Sequence, residues 1–214
     1  MRGGRVYGDV RVAGLILATW MAAGATGDQE QSGYTFGTTV VDLSALEGRV
    51  YLLDPKTEKL PNFEHMKPVG SVYATSLNVW PQSFSEGFPG LTDRFEWFAI
   101  VYTGKFWIEK PGEYRFSLLS DDGAKLRVDG KLLVNNDGIH RADAASAGAT
   151  LSRGAHEIEV EYFQGPRFTL ALVLAVSPPG EQWRIFNTND FKPPPDPSEW
   201  KKGKISGIKP QTIR

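Results

Sequence analysis

The stretch SLLSDDGAKLRVDGKLL, Ser117 to Leu133, sets two carboxylates, Asp121 and Asp122, side by side at the end of an apolar run, with Gly123 directly after them. Adjacent negative charges repel one another, so the arrangement needs a reason. Either the pair marks a turn, because aspartates bond their own backbone in turns, or its oxygens hold something. A second pair, Asp129-Gly130, stands between two apolar runs. It reads as a hairpin turn, because both central residues of a tight turn take positive φ. The segment NNDGIH, Asn135 to His140, is rich in oxygen donors. Asn136 and Asp137 are its candidates for contributing to a site. The alternative is a loop in which Asn and Asp simply tolerate left-handed geometry.

Other chemistries find little support. The 214 residues contain no cysteine, which excludes disulfides, thiolate zinc sites and a cysteine nucleophile. No G-x-S-x-G, H-E-x-x-H, phosphate-binding or dinucleotide-binding pattern occurs. A glycosidase needs two carboxylates flanking a bond, about 5–9.5 Å apart, which neighbouring aspartates do not easily provide. His156, at a strand start, reads as structural. A non-enzymatic protein is the expectation. The formal net charge of −1 gives no argument for nucleic acid as a partner.

The elements that must position these residues read as strands. In GKFWIEKPGEYRFSLLSDDG, Phe106 and Ile108 share a face, and after the Pro111-Gly112 turn so do Tyr114, Phe116 and Leu118. Leu126 and Val128 alternate into the Asp129-Gly130 turn. HEIEVEYF places Ile158, Val160 and Tyr162 inside and Glu157, Glu159 and Glu161 outside. RFTLALVLAV places Phe168, Leu170, Leu172, Leu174 and Val176 on one face, with small or apolar residues opposite, as in a central strand covered on both sides. Many short strands at this spacing predict an all-β protein, an antiparallel β-sandwich or barrel. The aromatic-rich stretch around Trp80, Phe84, Phe88, Phe95, Trp97, Phe98 and Tyr102 is expected to fill the core and cover edges.

Residues 1–25 read as a signal peptide. Arg2, Arg5 and Arg11 precede the apolar run Val12 to Ala25, which ends in the small-x-small pattern Ala23-Gly24-Ala25. An uncleaved anchor and a buried N-terminal helix are the alternatives. With cleavage no membrane span remains, and the protein is secreted, periplasmic or on the cell surface. Residues 26–48 form a polar lead-in, Val40 to Leu53 allowing a helical turn that runs into a strand. The domain proper is placed at 49–177, with an extension over 178–214. There Trp183, Ile185, Phe186 and Phe191 are candidates to pack back, and the lysine-rich end is expected to be mobile.

The series PGEYRFSLLSDDGAKLRVDGKLLVNNDGIH, followed by LSRGAHEIEVEYF and an apolar strand, resembles the protective-antigen-type (PA14) domain of secreted bacterial proteins. The resemblance covers about Phe95 to Val176 and implies a β-sandwich. In the sugar-binding adhesins of that family, the adjacent aspartates are joined by a cis peptide and chelate a calcium ion that bridges two sugar hydroxyls. Asp121 and Asp122 match that pair, so the resemblance implies calcium as cofactor and a glycan or polysaccharide as partner. The adhesins also use an asparagine and an aromatic on a later loop. Here that loop, FQGPRF, offers Gln164 and Arg167 instead. His140 matches a family histidine that packs a loop. Calcium is a hard cation that takes six to eight oxygens, and a cis peptide turns two adjacent side chains to the same side. Three functions therefore stand: a lectin-like, carbohydrate-binding module assisted by calcium, which leads; a structural or protein-interaction module of the cell envelope, with an envelope protein as partner and no sugar; and an accessory subunit of an enzyme encoded elsewhere.

Overall fold

The computed structural model describes residues 34–35, 38–39, 45–91, 95–166 and 168–212, and the chain separates into two units, 1–40 and 41–214. The expected signal peptide and the expected helical turn before Ala45 lie outside the described residues. In the first unit, strand β1 (Tyr34–Thr35) pairs with β2 (Thr38–Thr39).

The second unit is a sandwich of two antiparallel sheets, as the alternating pattern predicts. One sheet has the order β4 (Gly70–Ala74), β3 (Leu46–Leu52), β6 (Phe98–Ile108), β11 (Gly154–Gln164), β8 (Ala124–Val128), β9 (Lys131–Asn136). The other runs β13 (Arg184–Ile185), β12 (Thr169–Ser177), β7 (Gly112–Asp121), β10 (Asp143–Leu151), β14 (Ile205–Thr212), with β5 (Asn78–Ser83) beside β12. No α-helix occurs among the described residues; three short 3-10 turns complete the chain.

The inner faces follow the period-two alternation. Phe106 and Ile108 from β6, Tyr114, Phe116 and Leu118 from β7, and Ile158, Val160 and Tyr162 from β11 are all buried in one core. A smaller cluster of Tyr51, Leu53, Leu60, Ala99 and Phe163 lies apart from it, with Phe63 and Met66 from the β3–β4 connection packed against it. Asp129 and Gly130 take φ of 50° and 73°, the geometry expected of a two-residue hairpin turn.

Two sequence expectations are corrected. Phe168 does not share the inward face with Leu170: it precedes β12 and is 81% exposed, because the strand begins only at Thr169. The lysine-rich end is not a tail without regular structure. Its residues 205–212 form β14, which pairs with β10 along the edge of the second sheet. Of the four residues expected to pack back, Phe186 and Phe191 are buried in the core with their rings stacked at 5.1 Å, Ile185 is half-buried and Trp183 stays 39% exposed. Among the aromatics, Phe88, Phe98 and Tyr102 are core residues, whereas Trp80 stays 58% exposed.

Candidate functional site

Asp121 is the last residue of β7 in one sheet, and Ala124 opens β8 in the other. The tripeptide Asp121-Asp122-Gly123 is therefore the corner by which the chain crosses from sheet to sheet. The peptide bond between the two aspartates is cis. Gly123 is required by crowding: a methyl group on it would stand 2.5 Å from Phe163 Cε1 and 2.7 Å from the main-chain nitrogen of Gly138.

Both aspartates are nearly inaccessible, 5% and 3% exposed. Asp121 Oδ2 accepts from the main-chain N–H of Ala142 at 3.0 Å and from the Thr169 hydroxyl at 2.5 Å. Asp122 Oδ1 accepts from the N–H of His140 at 3.2 Å, and its Oδ2 from the N–H of Gly165 at 2.7 Å. Three of these donors come from two loops, His140 and Ala142 from the one between β9 and β10 and Gly165 from the one between β11 and β12, and the fourth, Thr169, opens β12. Asp121 Oδ1 has no hydrogen-bond partner among the described residues. No lysine or arginine among them pairs with either carboxylate.

The electrostatics follow. Burial pushes the Asp122 carboxyl up to about 6; the charge of Asp121 adds to the rise, and hydrogen bonds from Gly165 and His140 oppose it. Burial also drives the Tyr162 phenol well up, and the charges of Asp122 and Asp121 push it further. Burial opposes the charged form of His140, but its imidazole nitrogens face the carbonyls of Asn136 and Arg141 at 3.0 and 2.8 Å. Those contacts, with the charges of Asp122 and Asp143, hold its pKa above the usual value.

The other sequence candidates are distributed around this corner. Gln164 is fully buried, and all its polar atoms are engaged internally. Its Oε1 lies 2.7 Å from the Tyr162 hydroxyl, and its Nε2 donates to the carbonyls of Thr169 and Pro166. It braces the loop that supplies Gly165 and leads into Thr169. Arg167 lies outside the described residues. Asn136 donates to Ser120 Oγ and to the carbonyl of Asp143. Asp137 is paired with Lys125 at 2.7 Å and accepts from the N–H of Leu60, which ties the β3–β4 connection down. His156 is buried, with Nδ1 2.8 Å from Asp129 Oδ2 and Nε2 2.9 Å from the carbonyl of Ser152.

Sequence reasoning missed Thr169, which begins a strand without any distinguishing pattern, and Tyr162, which counted only as a core residue. The Tyr162 hydroxyl lies 2.9 Å from the main-chain carbonyl of Asp121, joining the two sheets beneath the corner. Phe168 and Ile139, 81% and 47% exposed, are each next in sequence to a residue that bonds an aspartate. Among the described residues no third acid, histidine or cysteine completes a metal cluster. Two buried, adjacent carboxylates held by neutral N–H and O–H donors nonetheless form a concentrated negative centre, and one oxygen is left over. That donor set suits a hard cation whose remaining ligands are carbonyls, water or ligand hydroxyls.

The sandwich with this acidic corner agrees with the sequence family that matches residues 49–185, described as the PA14 domain. The chain belongs to the PA14 domain family. Among solved structures, the PA14 domain of an antifreeze protein is similar at a TM-score of 0.59 and 17% identity, over 73% of this chain and 94% of that one. A PA14 sugar-binding domain from an RTX adhesin gives 0.56 and 17%, over 68% and 96%. The epithelial adhesin 9 A domain from Candida glabrata, in complex with Galb1-3GlcNAc, gives 0.50 and 12%, over 69% and 87%. At these identities the likeness is one of fold. No curated protein sequence matches the chain significantly.

Proposed function

We propose that this PA14 domain is an exported, non-catalytic module that binds carbohydrate through a calcium ion held by Asp121 and Asp122. The observation that carries the reading is the pair of buried, adjacent carboxylates, with which no lysine or arginine among the described residues forms an ion pair. Like charges at this spacing are costly, and a divalent cation removes the cost. When bound, calcium supplies a Lewis-acidic centre to which sugar hydroxyls can add as ligands.

The protein's own residues do the rest. Ala142, Thr169, His140 and Gly165 each donate a hydrogen bond that fixes a carboxylate oxygen. Tyr162 and Gln164 hold the corner and its loop from below. Phe168 offers an exposed apolar face next to Thr169, against which the C–H face of a sugar ring packs. The sugar-binding adhesin domains among the structural neighbours support the reading by fold alone.

Glycan-array binding with millimolar calcium and with chelator tests it. Binding that disappears with chelator and in Asp122→Asn is expected. Glycan binding indifferent to both changes would remove the metal from the mechanism. No glycan binding and no calcium-dependent rise in melting temperature would leave the envelope interaction module as the better reading.

A further inference from the structure

The far end of the sandwich carries a second, chemically different groove. Ala155 and Gln164 lie near opposite ends of β11, about 30 Å apart at the rise of an extended strand. The Gln164 end supports the aspartate corner. The Ala155 end is covered by the C-terminal extension: the N–H of Ala155 donates to the carbonyl of Lys201, and the N–H of Gly203 donates to the carbonyl of Ala155, both at 2.7 Å.

Between this extension and β6 is a half-open cavity of about 620 Å³, walled by Phe106, Trp107, Phe191, the run Pro193-Pro194-Pro195 and Trp200. A smaller one of about 260 Å³ adjoins it and shares Lys105, Ala155 and Trp200. Trp200 is 54% exposed, yet its ring is fixed, because Nε1 donates to the carbonyl of Pro194 at 2.8 Å. The apolar floor is therefore preformed.

Its lining is mostly positive, although Glu109, which accepts from Trp107 Nε1, feels the charge of Lys201. Lys105 and Lys192 line the larger cavity, and Lys105, Lys201 and Lys202 the smaller. All four are exposed, and none forms an ion pair among the described residues. Glu157 is the one acid lining either cavity; it sits opposite Lys105 in the strand register without pairing with it.

We propose that this groove binds an acidic polysaccharide of the uronic-acid type, with a pyranose ring on Trp200 and its carboxylates drawn to Lys105 and Lys192. A pyranose has an apolar face that stacks on an indole and a polar edge that stays in water, which suits a groove open to solvent. Two adjoining cavities fit consecutive rings of a chain better than one small molecule. One carboxylate per ring matches lysines set among apolar walls. Nucleic acid, with far denser charge, calls for a broad basic face, whereas here the lysines border a groove walled by aromatic and proline side chains. The inference stands apart from the calcium site.

Titration with polygalacturonate in EDTA tests it, since the chelator silences the aspartate corner and prevents calcium from crosslinking the polymer. Expected are saturable binding, weakening as salt is raised, no binding of neutral dextran, and about a tenfold loss in Trp200→Ala and in the double variant Lys105→Gln/Lys192→Gln. Asp122→Asn should bind polygalacturonate as the parent does. The lysine variant changes only exposed side chains, so it carries the test even if Trp200→Ala folds poorly. No binding in EDTA, equal binding of dextran, tighter binding of duplex DNA, or an unchanged affinity in the lysine variant would each overturn the proposal.

Discussion

Gly165 donates its main-chain hydrogen bond to Asp122 Oδ2 at 2.7 Å, and a methyl group on Gly165 would stand 3.0 Å from that same oxygen. The glycine supplies a close donor that any larger residue would turn into an obstruction. Gly165→Ala should displace the Asp122 carboxylate, lower metal-free stability by about 1 kcal/mol and diminish any calcium-induced rise in melting temperature. Melts with and without calcium measure both. A variant that responds to calcium as fully as the parent would show that the Asp122 position is not critical.

The acidic corner also predicts a pH dependence. The Asp122 carboxyl is raised to about 6 from 3.8, chiefly by burial, so the folded state holds its proton more tightly than the unfolded state does. This group therefore adds stability as pH falls from about 6 toward 3.8, and adds none above 6. The raised His140 acts in the same direction: its contribution is full below 6.5 and is lost as pH climbs through the folded value. Without metal, the melting temperature should rise as pH is lowered from about 8 to about 5. Asp122→Asn should flatten the part below 6. Calcium needs the carboxylate form, so its stabilising effect should shrink below about pH 6. A calcium shift that grows with acid would contradict the assignment.

Thr169 gives a cleaner probe than the aspartates. Thr169→Val keeps the shape and β-branching but removes the hydroxyl that bonds Asp121 Oδ2. The cost should be about 1 kcal/mol of stability, together with a weaker calcium response in the same denaturation series. Thr169→Ser, which retains the donor, should recover most of the response.

The second Asp-Gly pair separates turn geometry from side-chain bonding. Gly130 has a φ of 73° with open space around it, so Gly130→Val should cost about 1 kcal/mol or more through backbone conformation alone. Asp129→Ala should cost more, about 2–3 kcal/mol, because it strips the buried His156 and the N–H of Glu157 of an acceptor. Urea denaturation of the two variants ranks them. The reverse order would mean that the His156 contact contributes little.

Much of the sandwich was legible because alternation survives wherever one strand face is buried. Phe116 and Leu118, or Val160 and Tyr162, announce their side by spacing alone. Phe168 broke the rule: the alternation extends to it, but the strand does not, and nothing in the sequence marks Thr169 as the first paired residue. The strand at 205–212 was hidden for a different reason. Ile205 is buried, but Ser206, Gly207, Lys209 and Pro210 are exposed along this edge strand, so the segment looks like tail. At the corner, Asp121 and Asp122 stood out by type. Their donors did not, since three of the four are main-chain N–H groups, which any residue supplies.

The donors that hold the aspartates lie 18, 21, 43 and 48 positions further along the chain. A short peptide containing Ser-Asp-Asp-Gly therefore lacks everything that arranges its carboxylates, and the motif is not portable by itself. Closing such long loops is slow relative to local structure, so the corner is assembled only when β10 and β12 have docked on β7. Whatever recognises the finished corner recognises a completed fold, and a nascent or misfolded chain presents only two hydrated acids.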